Sequence, residues 1–183
     1  MAFHTQPILE NESVQLRPLQ EADLPELYAV AADPKIWEQH PNKDRWQEPV
    51  FRNFFDGAMQ SGGAFAIISK ETGRMIGSTR MYAFDESDNS IFVGYTFYSR
   101  DCWGKGINQA VKKMMLDYLF QYVDQVYFHI GASNIRSQVA ITRLGAEKIA
   151  EESVAYVGEA PRLNFKYRIA KNQAQRAGEE PVA

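Results

Sequence analysis

The chain has 183 residues, 45% of them hydrophobic and 23% charged, and a formal net charge of −3. That length and composition suit one globular domain with a core and exclude a disordered or fibrous chain, and the absence of a basic excess excludes an electrostatic nucleic-acid binder. A single cysteine, Cys102, excludes an internal disulfide framework, the opening "MAFHTQPILENES" lacks the basic-then-apolar pattern of a secretory leader, and no apolar run approaches the ~20 residues of a membrane helix, so a soluble cytoplasmic protein without membrane partners is expected.

In chain order, residues 1–12 read as an N-terminal extension. "SVQLRPL" (Ser13 to Leu19) alternates as a strand that Pro18 limits. "EADLPELYAVAAD" places Leu24, Leu27, Tyr28 and Ala31 on one helical face, and Asp33-Pro34 ends it. Lys35 to Arg45 is polar and aromatic with Pro41 inside, the composition of a loop. Pro49 opens a second helix carrying Phe51, Phe54, Phe55 and Met59, which Ser61-Gly62-Gly63 stops. The period then changes. "AFAII", "MIGSTRMYAF" and "IFVGYTFY" are β-branched and aromatic runs separated by the turns "SKETGR" and "DESDNS", the pattern of an antiparallel meander.

After the meander comes "SRDCWGKG", then a helical stripe of Ile107, Ala110, Val111, Met114, Met115, Tyr118 and Tyr122, with Lys112 and Lys113 placed on its wet face. "QVYFHIG" is the next strand, so strand, helix and strand form a parallel crossover. "SNIRSQVAITRLG" is a further helix, capped by Ser133 or Asn134 and ended by Gly145. "AEKIAEESVAYV" and "RLNFKYRIA" form a final hairpin joined by "GEAP". A polar tail covers 171–183, which leaves one domain over 13–170.

A strand, a glycine turn and a helix aim backbone N–H groups at phosphate. A dinucleotide fold would need a third glycine where Gln109 stands, and the turn would have to follow the first strand of a parallel set. A P-loop needs Ser or Thr after Gly-Lys, and Gly106 follows Lys105 instead. Neither reading fits the residues.

The order of a meander, a Gly-x-Gly turn, a helix, a strand and a helix opening at an Asn resembles the GNAT superfamily of N-acetyltransferases. The likeness runs from about Val14 to Ile169. Its sharpest parts are "WGKGIN" (Trp103 to Asn108) and "NIRSQVAITRLGA" (Asn134 to Ala146), and its overall pattern is most similar to the branch of ribosomal-protein N-terminal acetyltransferases. The resemblance implies a mixed α/β fold: a twisted sheet of about six to seven strands, helices on both faces, and a splayed strand pair that takes coenzyme A. It implies acetyl-CoA as cosubstrate, no metal, and direct transfer to an amine. The amine is open: a protein N-terminus, a small metabolite, a polyamine or an antibiotic.

Site residues follow from the same resemblance. Trp103, Gly104, Lys105, Gly106, Ile107 and Asn108 would cradle the pyrophosphate, Phe97 and Tyr98 would offer main-chain N–H groups to the thioester, and Asn134 and Ser137 would contact CoA. Ser137 stands where this branch often has a serine near the CoA sulfur and is the expected acid toward the leaving thiolate; the family's more familiar acid, a tyrosine later on this helix, is absent because Ile141 stands there. Phe92 stands where this branch can carry a glutamate base, which leaves Glu38, His40, Asp85, Glu86 and His129 as candidates or a base acting through water. Asp101 occupies the place where the family has Gln or Arg, so it either points away or is neutralised by Arg100. Trp37, Glu38 and His40 would face the acceptor. Acids from Glu38 to Glu48 and at Asp85–Asp88 would gather a cationic amine. The absent tyrosine and glutamate also keep open a CoA-binding sensor that turns over poorly, and an interaction module that reuses the fold.

Overall fold

The computed structural model describes residues 3–155 and 160–172. Eight strands form one sheet: β1 (Leu9–Glu10), β2 (Val14–Pro18), β3 (Ala64–Ser69), β4 (Met75–Asp85), β5 (Ser90–Tyr98), β6 (Gln125–Gly131), β7 (Glu147–Val154) and β8 (Arg162–Ala170). Their order is β1-β2-β3-β4-β5-β6-β8-β7, with every neighbouring pair antiparallel except β5 and β6. The count exceeds the expected six to seven because β1 lies inside the segment read as an extension. Two residues are too short to show an alternation, yet Leu9 pairs with Leu16.

Among the described residues five α-helices cover the sheet: α1 (Leu24–Ala31), α2 (Pro34–Trp37), α3 (Glu48–Gln60), α4 (Ile107–Leu119) and α5 (Ile135–Thr142). α2 corrects the loop expected from Lys35. Pro34 stops α1 but sits in the first turn of α2, where its missing N–H costs nothing, and Asp33 accepts from the Lys35 N–H at 3.0 Å. Strand alternation splits the apolar side chains into two cores. Phe65, Ile67, Ile91 and Val93 pack with Val111, Met115 and Leu119 of α4. Ala64, Ala66 and Phe97 pack with Leu27, Trp37, Phe51 and Phe55 of α1 to α3. Helices therefore lie on both faces, as expected.

The phase of α4 differs from the expected one. Its buried residues are Val111, Lys112, Met115, Leu116 and Leu119, so Lys112 lies under the sheet and not on a wet face. The other apolar flank meets the N-terminal segment: Phe3 lies against Tyr118 and Tyr122, and Tyr118 Oη donates to the His4 carbonyl. The final hairpin forms with β8 inserted between β6 and β7. Residues 156–159, which include the first half of the "GEAP" connection, and the tail from 173 lie outside the described residues.

Candidate active site

β5 and β6 pair only over Ser90–Phe92 and Gln125–Tyr127. Beyond that point they part. β5 also carries an extra residue against β4: Arg80 faces Gly94, while Ser78 already faces Phe97. Tyr95 absorbs this bulge at φ +53°. The bulge redirects the strand end. Val93 and Tyr98 join the core under α4 and Thr96 meets Lys112, whereas Tyr95 and Phe97 face the α1–α3 side. The open gap continues into a cleft of about 670 Å³ that runs from the glycine turn past α4 and α5 to α2.

At the mouth, Gly104 and Gly106 hold φ +73° and +74°, the left-handed region that glycine enters without strain. A Cβ at either would meet nothing within 4 Å, so the space above the turn is open. Gly106 is the cap of α4, and Ala110 is the first residue to bond back, to Gly106 O at 3.0 Å. The N–H groups of Ile107, Asn108 and Gln109 precede it and lack intrahelical partners. They face a helix end that favours negative charge by about 0.3–1 kcal/mol. Lys105 and Asp101 are exposed and do not line the cleft. Arg100 does not neutralise Asp101, since its Nε pairs with the Asp33 carboxylate. Trp103 carries the Arg136 guanidinium 4.0 Å over its ring. Arg136 in turn bonds Ile36 O and takes Gln39 Oε1 on its backbone N–H, which ties the turn, α5 and α2 together.

Asn134 opens α5 and is buried. Its Oδ1 accepts from the Ser137 N–H at 3.2 Å, so it is a helix cap whatever else it does. Ser137 and the buried Ile141 line the cleft. Tyr98 lines it too, and its buried hydroxyl has no hydrogen-bond partner among the described residues. Burial raises the Tyr98 phenol and, first among several causes, the Cys102 thiol, so neither ionises readily.

Trp37, His40, Arg45 and Phe97 line the cleft, the last three packed around the Trp37 ring, and His129 lines the cleft as well. Trp37 is mostly core, with Nε1 donating to Ala31 O at 2.8 Å. Arg45 donates to His40 Nε2 at 3.2 Å, and Nδ1 lies 3.1 Å from Asn42 O and 3.0 Å from the Asn42 backbone N. Burial first, and then Arg45, pull the imidazole down to about 3, so His40 stays neutral with its lone pair engaged. Glu38 is exposed and outside the lining, where its charge acts on Arg136. Asp44, Glu48 and Asp85–Asp88 are also outside it. Among the described residues the lining contains Arg45, Lys112, Arg136 and Arg143 and no carboxylate, so the expected acidic wall does not face the cleft.

Two arrangements were not legible in the sequence. His129, beyond the point where β6 leaves β5, sets Nε2 2.7 Å from Glu152 Oε2 of β7 and stacks 4.6 Å from Phe92. With Nε2–H donating to the carboxylate, Nδ1 is the accepting nitrogen and has no hydrogen-bond partner among the described residues, the arrangement of an oriented base. Lys112 sets Nζ 3.1 Å from Thr79 Oγ1 and 2.5 Å from Thr96 Oγ1. Among the described residues, no group of three or more His, Cys, Asp or Glu side chains is placed to hold a metal ion, and no helix is long and apolar enough to cross a membrane.

A family model described as an acetyltransferase (GNAT) domain matches residues 13–147. The chain belongs to the GNAT acetyltransferase family. Solved structures of GNAT proteins are similar over most of their length. A GCN5-related N-acetyltransferase from Brucella melitensis has 18% identity and a TM-score of 0.79, covering 96% of this chain and 86% of that one. The spermidine N-acetyltransferase from Vibrio cholerae, in complex with CoA and spermine, has 16% identity and a TM-score of 0.63 over 90% and 99% of the two chains. A putative ribosomal-protein-serine acetyltransferase from Vibrio cholerae has 15% identity and a TM-score of 0.70 over 92% and 99%. At such identities the likeness is one of GNAT fold.

Proposed function

We propose that this GNAT protein transfers the acetyl group of acetyl-CoA directly to a primary amine. The observation that carries the reading is the parting of β5 from β6 in a cleft whose mouth is the Gly104–Gly106 turn and the start of α4. The residues present fit acetyl-CoA. Open space above two left-handed glycines and unpaired N–H groups suit a pyrophosphate, and the carboxylate-free lining suits a polyanion. The freed edge of β5 offers main-chain groups to a pantetheine arm, as an added strand would be held.

In this reading Gly104, Gly106, Ile107 and Asn108 hold the diphosphate, with Trp103 and Lys105 at the rim. Asn134 and Ser137 lie along the arm. Main-chain N–H groups near Phe97 and Tyr98 stabilise the oxyanion that develops at the thioester carbonyl. His129, oriented by Glu152, accepts the proton of the attacking amine. Ser137 hydrogen-bonds the departing sulfur. Trp37 and His40 shape the acceptor wall.

The acceptor is a protein N-terminus or a small-molecule amine. The motif pattern favours the ribosomal-protein branch, and the likeness to a putative member at 15% identity adds only the shared fold. Spermidine, the substrate named for another, is a polycation for which this lining offers no counter-charge. The decisive experiment is calorimetry with acetyl-CoA followed by thiol release over an amine panel that includes peptides of varied N-termini. Binding with release above background is expected. Binding without release on any amine would favour the second reading, an acyl-CoA sensor, for which Phe92 and Ile141 in place of a base and an acid are the specific support.

A further inference from the structure

Lys112 is a buried cation without a counter-ion. It is 5% exposed, and among the described residues its Nζ hydrogen-bonds only the hydroxyls of Thr79 on β4 and Thr96 on β5. Those hydroxyls also bond each other at 2.8 Å, so they do not need the lysine. The facing elements bring Thr79, Thr96, Tyr98 and Met115 to this region, and no charged group among the described residues perturbs it. A lysine that merely filled space would be replaced at lower cost by an apolar side chain of similar size. Lys112 also lines the cleft. It lies on α4 six residues from Gly106, roughly 9 Å along the helix axis at ~1.5 Å per residue. It lies on the α4 side of the sheet, opposite the side of Phe97 on β5 and His129 on β6, a placement that suits the CoA arm rather than the acceptor.

We infer that Lys112 is the proton donor to the departing CoA sulfur. The inference rests on the acetyl-CoA reading above. The acceptor nitrogen forms a bond to the thioester carbonyl carbon and loses its proton to His129. The carbon–sulfur bond breaks, and its electron pair stays on sulfur. The Lys112 ammonium transfers a proton to that sulfur, giving free CoA thiol and a neutral amine, which regains its proton from solvent. Burial as the sole cause brings Lys112 down to about 7. A group poised there both gives and recovers a proton near neutral pH. Ser137 adds a hydrogen bond and no charge, which separates its role from that of Lys112.

The test needs no acceptor. CoA is bound to the protein, saturation is verified by calorimetry, and the thiolate is titrated by its ultraviolet absorbance against a desulfo-CoA control. An ordinary thiol titrates near about 8.5, and an adjacent cation lowers an acidic group by about 1–3 units. The bound thiol is expected to be lowered by that amount in the wild type and in Ser137→Ala, and to return to its solution value in Lys112→Met. Lys112→Gln, which keeps a hydrogen-bond donor without charge, serves as the second variant and should behave like Lys112→Met. An unshifted thiol on saturated protein overturns the role of Lys112 and leaves the acetyl-CoA reading intact. So does a lowering that persists in both Lys112 variants. Failure of CoA to bind the wild type overturns the acetyl-CoA reading and this inference with it.

Discussion

A lone ammonium beneath a sheet is a stability cost with a definite pH signature. Folded Lys112 releases its proton near about 7, against 10.5 for an unburied lysine. Between those values the unfolded chain holds more protons, so raising the pH stabilises the wild type. Lys112→Met should therefore melt higher at pH 7 or below, by about 1–4 kcal/mol, the range for replacing buried ionic groups by apolar ones. The advantage should shrink as pH climbs toward 10.5, and thermal melts at several pH values read it directly. His129→Gln keeps the shape of the Glu152 contact and removes the lone pair on Nδ1. It should lower kcat/KM by about 10²–10⁴ on whatever amine the panel returns, with acetyl-CoA affinity unchanged by calorimetry. The sequence named His129 only as one of five candidate bases, without its partner, and did not single out Lys112. Charge placed Lys112 in water, because single-residue chemistry carries no information about helix phase. His129 and Glu152 are 23 residues apart and meet across β8, which inserts between β6 and β7.

Elements were more legible than residues, and the turn before α4 most of all. Two glycines one residue apart between a β run and a helical stripe placed it correctly, and both adopt the left-handed conformation that only glycine enters cheaply. Gly106→Val should cost about 1–3 kcal/mol in backbone strain. It should abolish measurable acetyl-CoA binding while the far-UV circular dichroism stays that of the folded protein, and retained affinity in a folded variant would remove the turn from the site. What the sequence hid at this scale has local causes. Pro34 reads as a stop signal although it also starts α2. β1 is shorter than one alternation. The stripe on α4 was correct in period but displaced, because the N-terminal segment gives Tyr118 an apolar neighbour that no local pattern announces.

At the scale of the molecule, the sheet is two parts, β1 to β5 and β6 with β8 and β7, joined by three residue pairs. Core packing under α4 holds the parts together, yet the ladder at the seam is short, and local opening follows the least supported hydrogen bonds. An arm laid along the freed edge of β5 would complete that seam. Saturating CoA should slow amide exchange at Val93–Tyr98 and Phe128–Gly131 far more than in β2 or β3, and uniform protection would place the ligand elsewhere. The antiparallel meander, the parallel crossover and the terminal hairpin could each be read from turn lengths and periods. The family resemblance implied that this strand pair splays, but not where, because the register at which the two parallel strands stop pairing is tied to the bulge at Tyr95.

The carboxylate-free lining also bears on how long a polyanion stays. The protein carries −3 overall, so an anion at a distance meets no attractive field. Attraction begins within the cleft, where Arg45, Lys112, Arg136 and Arg143 line the wall and separations are comparable to the ~8 Å screening length of physiological salt. Charge of this kind retains a visitor without hastening its arrival. In stopped-flow measurements, added salt should shorten the residence time of CoA and leave its association rate nearly constant.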